Sequence, residues 1–170
     1  MTISKYTIQI ITLSDRASKG IYDDLSGQAI ENILTKFFSE LNITFEFHRV
    51  VIADEASELQ NILIKNIASN INFIFTTGGT GIGSRDITPE VVKPLLTKEI
   101  PGIMELIRVK FGMQFPSAAL SRSIAGVAKS SIIYCLPGSP KAVKEYMEEI
   151  LKTLLHCYKM LHGSDEHNNQ

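Results

Sequence analysis

The chain has 170 residues, 44% of them hydrophobic and 21% charged, with 17 Lys and Arg against 18 Asp and Glu. This is the composition of one ordinary globular domain, and it excludes disorder, collagen and coiled coil. A net charge of −1 excludes a general polybasic nucleic-acid binder, and no apolar run approaches the ~20 residues that span a bilayer.

Residues 5–13 (KYTIQIITL) are β-branched and apolar and read as a buried strand that ends at Ser14-Asp15. A polar loop follows. Ile30, Ile33, Leu34, Phe37, Phe38 and Leu41 then recur at helical spacing and predict an amphipathic helix. A second strand covers 44–52 and ends before Asp54, and Ala56, Leu59, Leu63 and Ile67 line a second helix. A third strand at 71–77 runs directly into a glycine-rich turn. Thr88 is expected to cap the next helix, with Pro89 in its first position, where a missing N–H costs nothing. A further helix is expected over 103–113, a strand over 131–136, and a last helix capped by Ser139, with Pro140 at its first position and one apolar stripe from Val143 to Leu155. From His162 the chain is polar, which predicts one domain over 1–161 and a frayed tail over 162–170.

Strands alternating with helices, joined by long crossovers, predict an α/β fold with a mostly parallel sheet covered on both faces. Such sheets bind ligands beyond the carboxyl ends of their strands. Ser14-Asp15-Arg16, Asp54-Glu55, the glycine turn and Pro137-Gly138-Ser139 all follow strands, so they are expected to meet at one edge. Cys135 and Cys157 sit in apolar patterns and read as free thiols of a reducing cytoplasm, and the histidines show no zinc spacing.

The strongest local signal is the run from Thr76 to Asp86, TTGGTGIGSRD. Glycines after a buried strand let backbone N–H groups approach an anion. Two phosphate motifs fail: Ser84 stands where a P-loop needs Lys, and Gly79, Gly81 and Gly83 give GxGxG where a dinucleotide fold needs GxGxxG. A nicotinamide-linked oxidoreductase is therefore the lesser reading. Asp54 and Asp86 flank the turn, and Asp54 could also cap the helix that follows it. A carboxylate ~4 Å from a phosphate charge is repelled by about 4 kcal/mol at an effective dielectric near 20, so acids beside a polyphosphate imply a divalent cation such as Mg²⁺ between them. No Ser-His-Asp or Cys-His arrangement accompanies them. Phosphoryl-type transfer needs mainly positioning and charge neutralisation, and a phosphate monoester with a second pKa near ~6 can attack without a base. Arg16, Arg85 and Arg122 each lie in a polar loop, where surface arginines are usually just solvated; three of them converging on one edge would form a local anion pocket.

Four segments in order, LSDRASKGIYDDLSG at 13–27, VIADE at 51–55, TTGGTGIGSRDITPE at 76–90 and LSRSIAGVAKSSIIYCLPGSPKAV at 120–143, resemble the molybdopterin adenylyltransferases of molybdenum-cofactor biosynthesis, a family related to the G domain of gephyrin. The resemblance implies a three-layer α/β/α sandwich, a homotrimer, and transfer of AMP from Mg-ATP to the terminal phosphate of molybdopterin. It implies Mg²⁺ and transfer roles for Asp54 and Asp86, and phosphate binding by Gly78, Gly79, Thr80 and Gly81. It also implies pterin contacts from Ser121, Arg122 and Ser123, with Ser14, Asp15, Arg16, Arg85, Pro137, Gly138 and Ser139 around the same pocket. The alternative within this resemblance is a non-catalytic pterin carrier. The length leads us to expect that a separate molybdate-inserting protein takes the product; no nucleic-acid or membrane partner is expected.

Overall fold

The computed structural model describes residues 5–163; residues 164–170 of the expected tail lie outside the described residues. Six strands form one sheet in the order β2-β1-β3-β6-β5-β4. They are β1 (Tyr6–Leu13), β2 (Phe45–Ile52), β3 (Phe73–Thr77), β4 (Lys98–Glu99), β5 (Ala125–Ala128) and β6 (Ser131–Leu136). The first four strands in that order run parallel, and β5 and β4 are antiparallel additions at one side.

The helices are α1 (Leu25–Glu40), α2 (Ala56–Ala68), α3 (Thr88–Val92), α4 (Pro101–Gly112), α5 (Pro140–Leu151) and α6 (Leu154–Leu161). Their apolar stripes divide between the faces of the sheet. On one face Ile30, Leu34 and Phe38 of α1 pack with residues of α4, α5 and α6 against Ile8, Ile10, Phe73 and Tyr134. On the other face Leu59, Leu63 and Ile67 of α2 and Val92 of α3 cover Ile11, Leu13, Ile74 and Ile133. Period-2 alternation along β1 sends Ile8 and Ile10 one way and Ile11 and Leu13 the other way between these cores. The result is the expected three-layer α/β/α sandwich.

Several local expectations change. Thr88 does not cap α3: Ile87 holds the cap position, and the Thr88 hydroxyl donates instead to the carbonyl of Gly78, at 2.8 Å. Asp54 does not cap α2 either, because its carboxylate is taken by the N–H of Asp15. The last apolar stripe is two helices, α5 and α6, separated at Lys152-Thr153. α4 begins at Pro101 rather than at residue 103, since Pro can open a helix. Ser139 does cap α5, accepting from the N–H of Ala142.

One buried acid ties α4 to α5. Glu149 accepts from Lys110 at 2.6 Å and from Lys152 at 2.8 Å, and these ammonium groups hold its carboxyl below the usual range. A depressed carboxyl stabilises the fold above the unfolded carboxyl's pKa of about 4.3, and that contribution is lost as pH falls through the lower folded value. Glu149→Gln is expected to lower Tm at neutral pH by about 2–4 °C. The difference from wild type should shrink in thermal melts taken progressively below pH 4.

Candidate active site

The parallel strands all end on one side, because Leu13 is in register with Ile52, Thr12 with Thr77, and Thr77 with Leu136. The connection from β1 leads to β2 on one flank, while β3 lies on the other, so the sheet's switch point is the crevice between β1 and β3. The segments after β1, β2, β3 and β6 gather around that crevice. The 121–124 segment joins them, since Ile124 accepts from the N–H of Cys135 near the end of β6.

The glycine turn can sit there only without side chains. Gly78 has φ +100°, and a Cβ on it would stand 2.3 Å from the Leu13 carbonyl oxygen. Gly79 has φ +64°, and a Cβ there would meet the Thr88 hydroxyl at 2.5 Å. The Gly78 N–H donates to Leu136, and the Thr77 hydroxyl donates to Pro137. β6 and the Pro137-Gly138-Ser139 turn are thereby locked against the glycine turn.

Two cavities open on either side of the turn. The larger, about 670 Å³, is lined by Gly79, Thr80, Gly81 and Asp86 on one side. Its other walls include Ser121, Pro137, Gly138, Ser139 and an apolar surface with Phe115 and Tyr146. The smaller, about 270 Å³, is lined by Ser14, Asp15, Arg16, Tyr22, Asp54, Gly79, Arg85 and Asp86, together with Leu13. Gly79 and Asp86 belong to both, so Asp86 stands at their junction.

Asp15 and Asp54 are bonded reciprocally. The N–H of Asp15 donates to Asp54 Oδ2 at 3.0 Å, and the N–H of Asp54 donates to Asp15 Oδ1 at 3.1 Å. Arg85 grips Asp15 through Nε and Nη2 and also reaches Glu55 at 2.9 Å. That grip holds the Asp15 carboxyl below the usual range. Asp54 moves the other way. Burial pushes its carboxyl up, the Asp15 N–H pulls it back, and the charges of Asp15 and Asp86 push it further. Asp86 turns a carboxylate oxygen onto the N–H of Gly83, at 2.7 Å.

Arg16 and Arg85 both line the smaller cavity, whereas Arg122 lines neither cavity. Arg16 lies 4.9 Å over the Tyr22 ring, and Arg85 is occupied by Asp15 and Glu55. Arg122 donates to the carbonyls of Gly81, at 2.6 Å, and Asp86, at 2.8 Å, and pairs with Glu90, so it braces the glycine turn from behind. Ser121 lines the larger cavity, whereas Ser123 is buried and shares a 2.9 Å hydroxyl contact with Ser121. Phe115, Lys141 and Tyr146 line the larger cavity and were not singled out in sequence. Their signal was only that Lys141 and Tyr146 follow the cap of α5.

Among the described residues no three His, Cys, Asp or Glu side chains cluster to hold a metal. The edge does offer Asp54 and Asp86, hard oxygen donors of which Asp54 already bears the cost of burial and, to a lesser degree, of its acidic neighbours. That pair fits a Mg²⁺ ion that takes one or two carboxylates and completes its shell with phosphate oxygens and water.

Comparison with known proteins supplies independent findings. The profile of a family described as "Probable molybdopterin binding domain" matches residues 9–156. The molybdopterin adenylyltransferase of Helicobacter pylori J99 is 40% identical over 158 residues, 92% of this chain and 88% of that protein. The molybdopterin adenylyltransferase of Escherichia coli K12 is 36% identical over 145 residues, 84% of this chain and 72% of that protein. The crystal structure of the molybdopterin biosynthesis enzyme MoaB of Thermus thermophilus superposes with a TM-score of 0.82 at 34% identity, covering 93% of this chain and 97% of that one.

The raised Asp54 carboxyl has a measurable consequence. The folded chain holds this proton more tightly than the unfolded chain, so ionising Asp54 costs stability. The cost is absent below a pH of about 4 and complete above the raised folded value. Asp54→Asn keeps an oxygen for the Asp15 N–H and removes the charge. It is expected to raise Tm at neutral pH by about 1–3 °C after allowance for solvent screening. The gain should disappear in melts below about pH 4.

Proposed function

The chain belongs to the molybdopterin-binding domain family, and from that membership we propose that it is a molybdopterin adenylyltransferase. It moves AMP from ATP to the terminal phosphate of molybdopterin and releases pyrophosphate, as the names of its Helicobacter and Escherichia relatives suggest. The observation that carries this reading is Asp86 at the junction of two cavities beside a turn whose Gly78 and Gly79 admit no side chain. Two phosphorylated substrates must meet there with their phosphates toward one another.

In this reading Gly79, Thr80 and Gly81 border the phosphates, and the bare backbone of the two glycines allows close approach. Ser14, Ser121 and Ser139 supply hydroxyls around the rims of the two cavities. Asp54 and Asp86 would hold Mg²⁺, which when bound supplies charge neutralisation between these carboxylates and the polyphosphate. Molybdopterin's terminal phosphate is dianionic at neutral pH and attacks the α-phosphorus directly. One P–O bond forms to AMP as the bond to pyrophosphate breaks. The nucleophile carries no proton to be removed, so the site needs no histidine; His48 lies on β2, beside Glu46. Arg85 keeps Asp15 and Glu55 paired and so fixes the loops that carry Asp54. Holding both substrates in line is the main catalytic contribution.

The same reading makes the protein a homotrimer of the cytoplasm. Leu106 and Val109 stand exposed along one side of α4 and, with exposed Met113 just past its end, offer an apolar face for self-association. The double variant Leu106→Glu, Val109→Glu is expected to lower the mass in light scattering toward one chain. An unchanged mass removes this face from the assembly.

The direct test is incubation of the purified protein with molybdopterin and Mg-ATP, with mass detection of adenylylated molybdopterin. Asp86→Asn is expected to lose about 10²–10³ in kcat while melting like wild type, the scale of a lost transition-state electrostatic contact. Near-wild-type turnover by this variant would remove Asp86 from the chemistry. Pterin binding without turnover by the wild-type protein would make the chain a carrier.

A further inference from the structure

The larger cavity is polar on the glycine-turn side and apolar opposite. On the apolar side Phe115, just before a short 3-10 turn at Pro116–Leu120, is 44% exposed. The Lys141 ammonium, from the first turn of α5, lies 3.8 Å from the centre of the Phe115 ring. Lys141 has one acidic neighbour, Glu145, also at 3.8 Å, and its side chain is 68% exposed. A flexible lysine and an exposed ring each cover the other at a cavity wall. An exposed cation–π contact is worth only about 0.5–1 kcal/mol, so a better partner for either group displaces it readily.

A second observation points to the same wall. Tyr146, one turn after Lys141, lines the cavity at 2% exposure, and its buried hydroxyl has no hydrogen-bond partner. Unpaired buried hydroxyls are uncommon and costly, and this one belongs to a residue that lines the cavity. Ring, cation and idle hydroxyl together match a flat nitrogen heterocycle that carries a phosphate. The heterocycle has faces for Phe115 and edge nitrogens for a hydroxyl; its phosphate carries charge for Lys141.

We propose that Phe115 and Lys141 are the substrate-positioning clamp of the larger cavity: Phe115 stacks a flat phosphorylated nitrogen heterocycle, and Lys141 leaves the ring to pair with that ligand's phosphate. This rests on the proposed adenylyltransferase reading, which supplies two such ligands, a nucleotide and a pterin. Stacking on an aromatic side chain tolerates either ring, and removal of the aromatic typically weakens base binding by tenfold or more.

The test titrates AMP and, separately, a 6-hydroxymethylpterin phosphate ester into the wild type and into Phe115→Ala, Phe115→Trp, Lys141→Ala and Tyr146→Phe. Phe115→Ala should weaken one of the two ligands about tenfold and leave the other within twofold, which identifies the ring that the cavity takes. Phe115→Trp should restore that ligand. Lys141→Ala should weaken the same ligand about three- to tenfold and flatten the salt dependence of its binding. Tyr146→Phe should raise the Tm of the ligand-free protein, since it removes an unpaired hydroxyl, yet reduce the Tm gain that this ligand confers. A purely structural role for Tyr146 gives a lower ligand-free Tm. The clamp is overturned if both ligands stay within twofold in Phe115→Ala and Lys141→Ala, if the two variants affect different ligands, if Trp does not rescue, or if Tyr146→Phe lowers the ligand-free Tm. If wild type forms product and these variants keep its KM for both substrates, the clamp fails and the adenylyltransferase stands. If wild type forms no product but one ligand responds as described, the adenylyltransferase fails and the clamp stands.

Discussion

The whole ligand edge hangs on a contact that no side chain can enter, the passage of Gly78 against the end of β1. Its Cα faces the Leu13 carbonyl so closely that a Cβ would lie 2.3 Å from the oxygen, and Gly138 comes in on the same atom, with a Cβ of its own reaching 3.3 Å. β1, β3 and β6 can therefore end level with one another, and their loops share one crevice. Other bonds serve this closeness. Thr88 and Leu136 take up the Gly78 carbonyl and N–H, and Arg122 fastens the far side of the turn through Gly81 and Asp86. The turn looks like a flexible loop in sequence, yet most of its hydrogen bonds are to fixed partners. Its glycines present fixed, bare backbone, which is what close approach of a phosphate requires.

Charge at this edge is divided with the same economy. Arg85 is occupied by Asp15 and Glu55, and Arg122 by Glu90 and backbone carbonyls. Asp54 and Asp86 instead hydrogen-bond backbone N–H groups, those of Asp15 and Gly83. The arginines thus pair with the acids that hold loops together, Asp15 in the cavity wall among them, and leave Asp54 and Asp86 outside these ion pairs.

Much of this was legible in the sequence, and the parts that were not share a cause. Strands and helices with long apolar periods declared themselves, because burial on one face imposes a period that survives as pattern. The glycine turn and the two acids stood out because their spacing departs from every ordinary requirement of a turn. β5 did not: Ala-Gly-Val-Ala is too short and too small to show a period. It forms because Gly126 lets it pass β4, where a Cβ would meet Leu96 and the Lys98 carbonyl at 2.6 Å. The arginines were visible as charges but not as bonds, since sequence states a donor and not which acceptor folding brings to it. Thr88 was misplaced for a related reason. A threonine before proline satisfies the rule for a helix cap, and only the approach of β3's turn gives its hydroxyl a better acceptor.

The two-cavity layout also explains why the acids are tolerated. An isolated carboxylate beside a phosphate opposes binding by about 4 kcal/mol at 4 Å and an effective dielectric of 20, a factor of nearly a thousand. Asp54 already bears part of such a penalty in the ligand-free chain, through burial and its acidic neighbours. On the proposed reading, any phosphate that enters alone adds to that penalty, whereas a polyphosphate that arrives with its divalent cation relieves it. On that reading the edge would discriminate by the charge state of the nucleotide before it contacts the base. Asp86 lines both cavities, so on the proposed reading it would apply the same condition to the second substrate, and the two anions would be brought together only with a cation present to make the approach favourable.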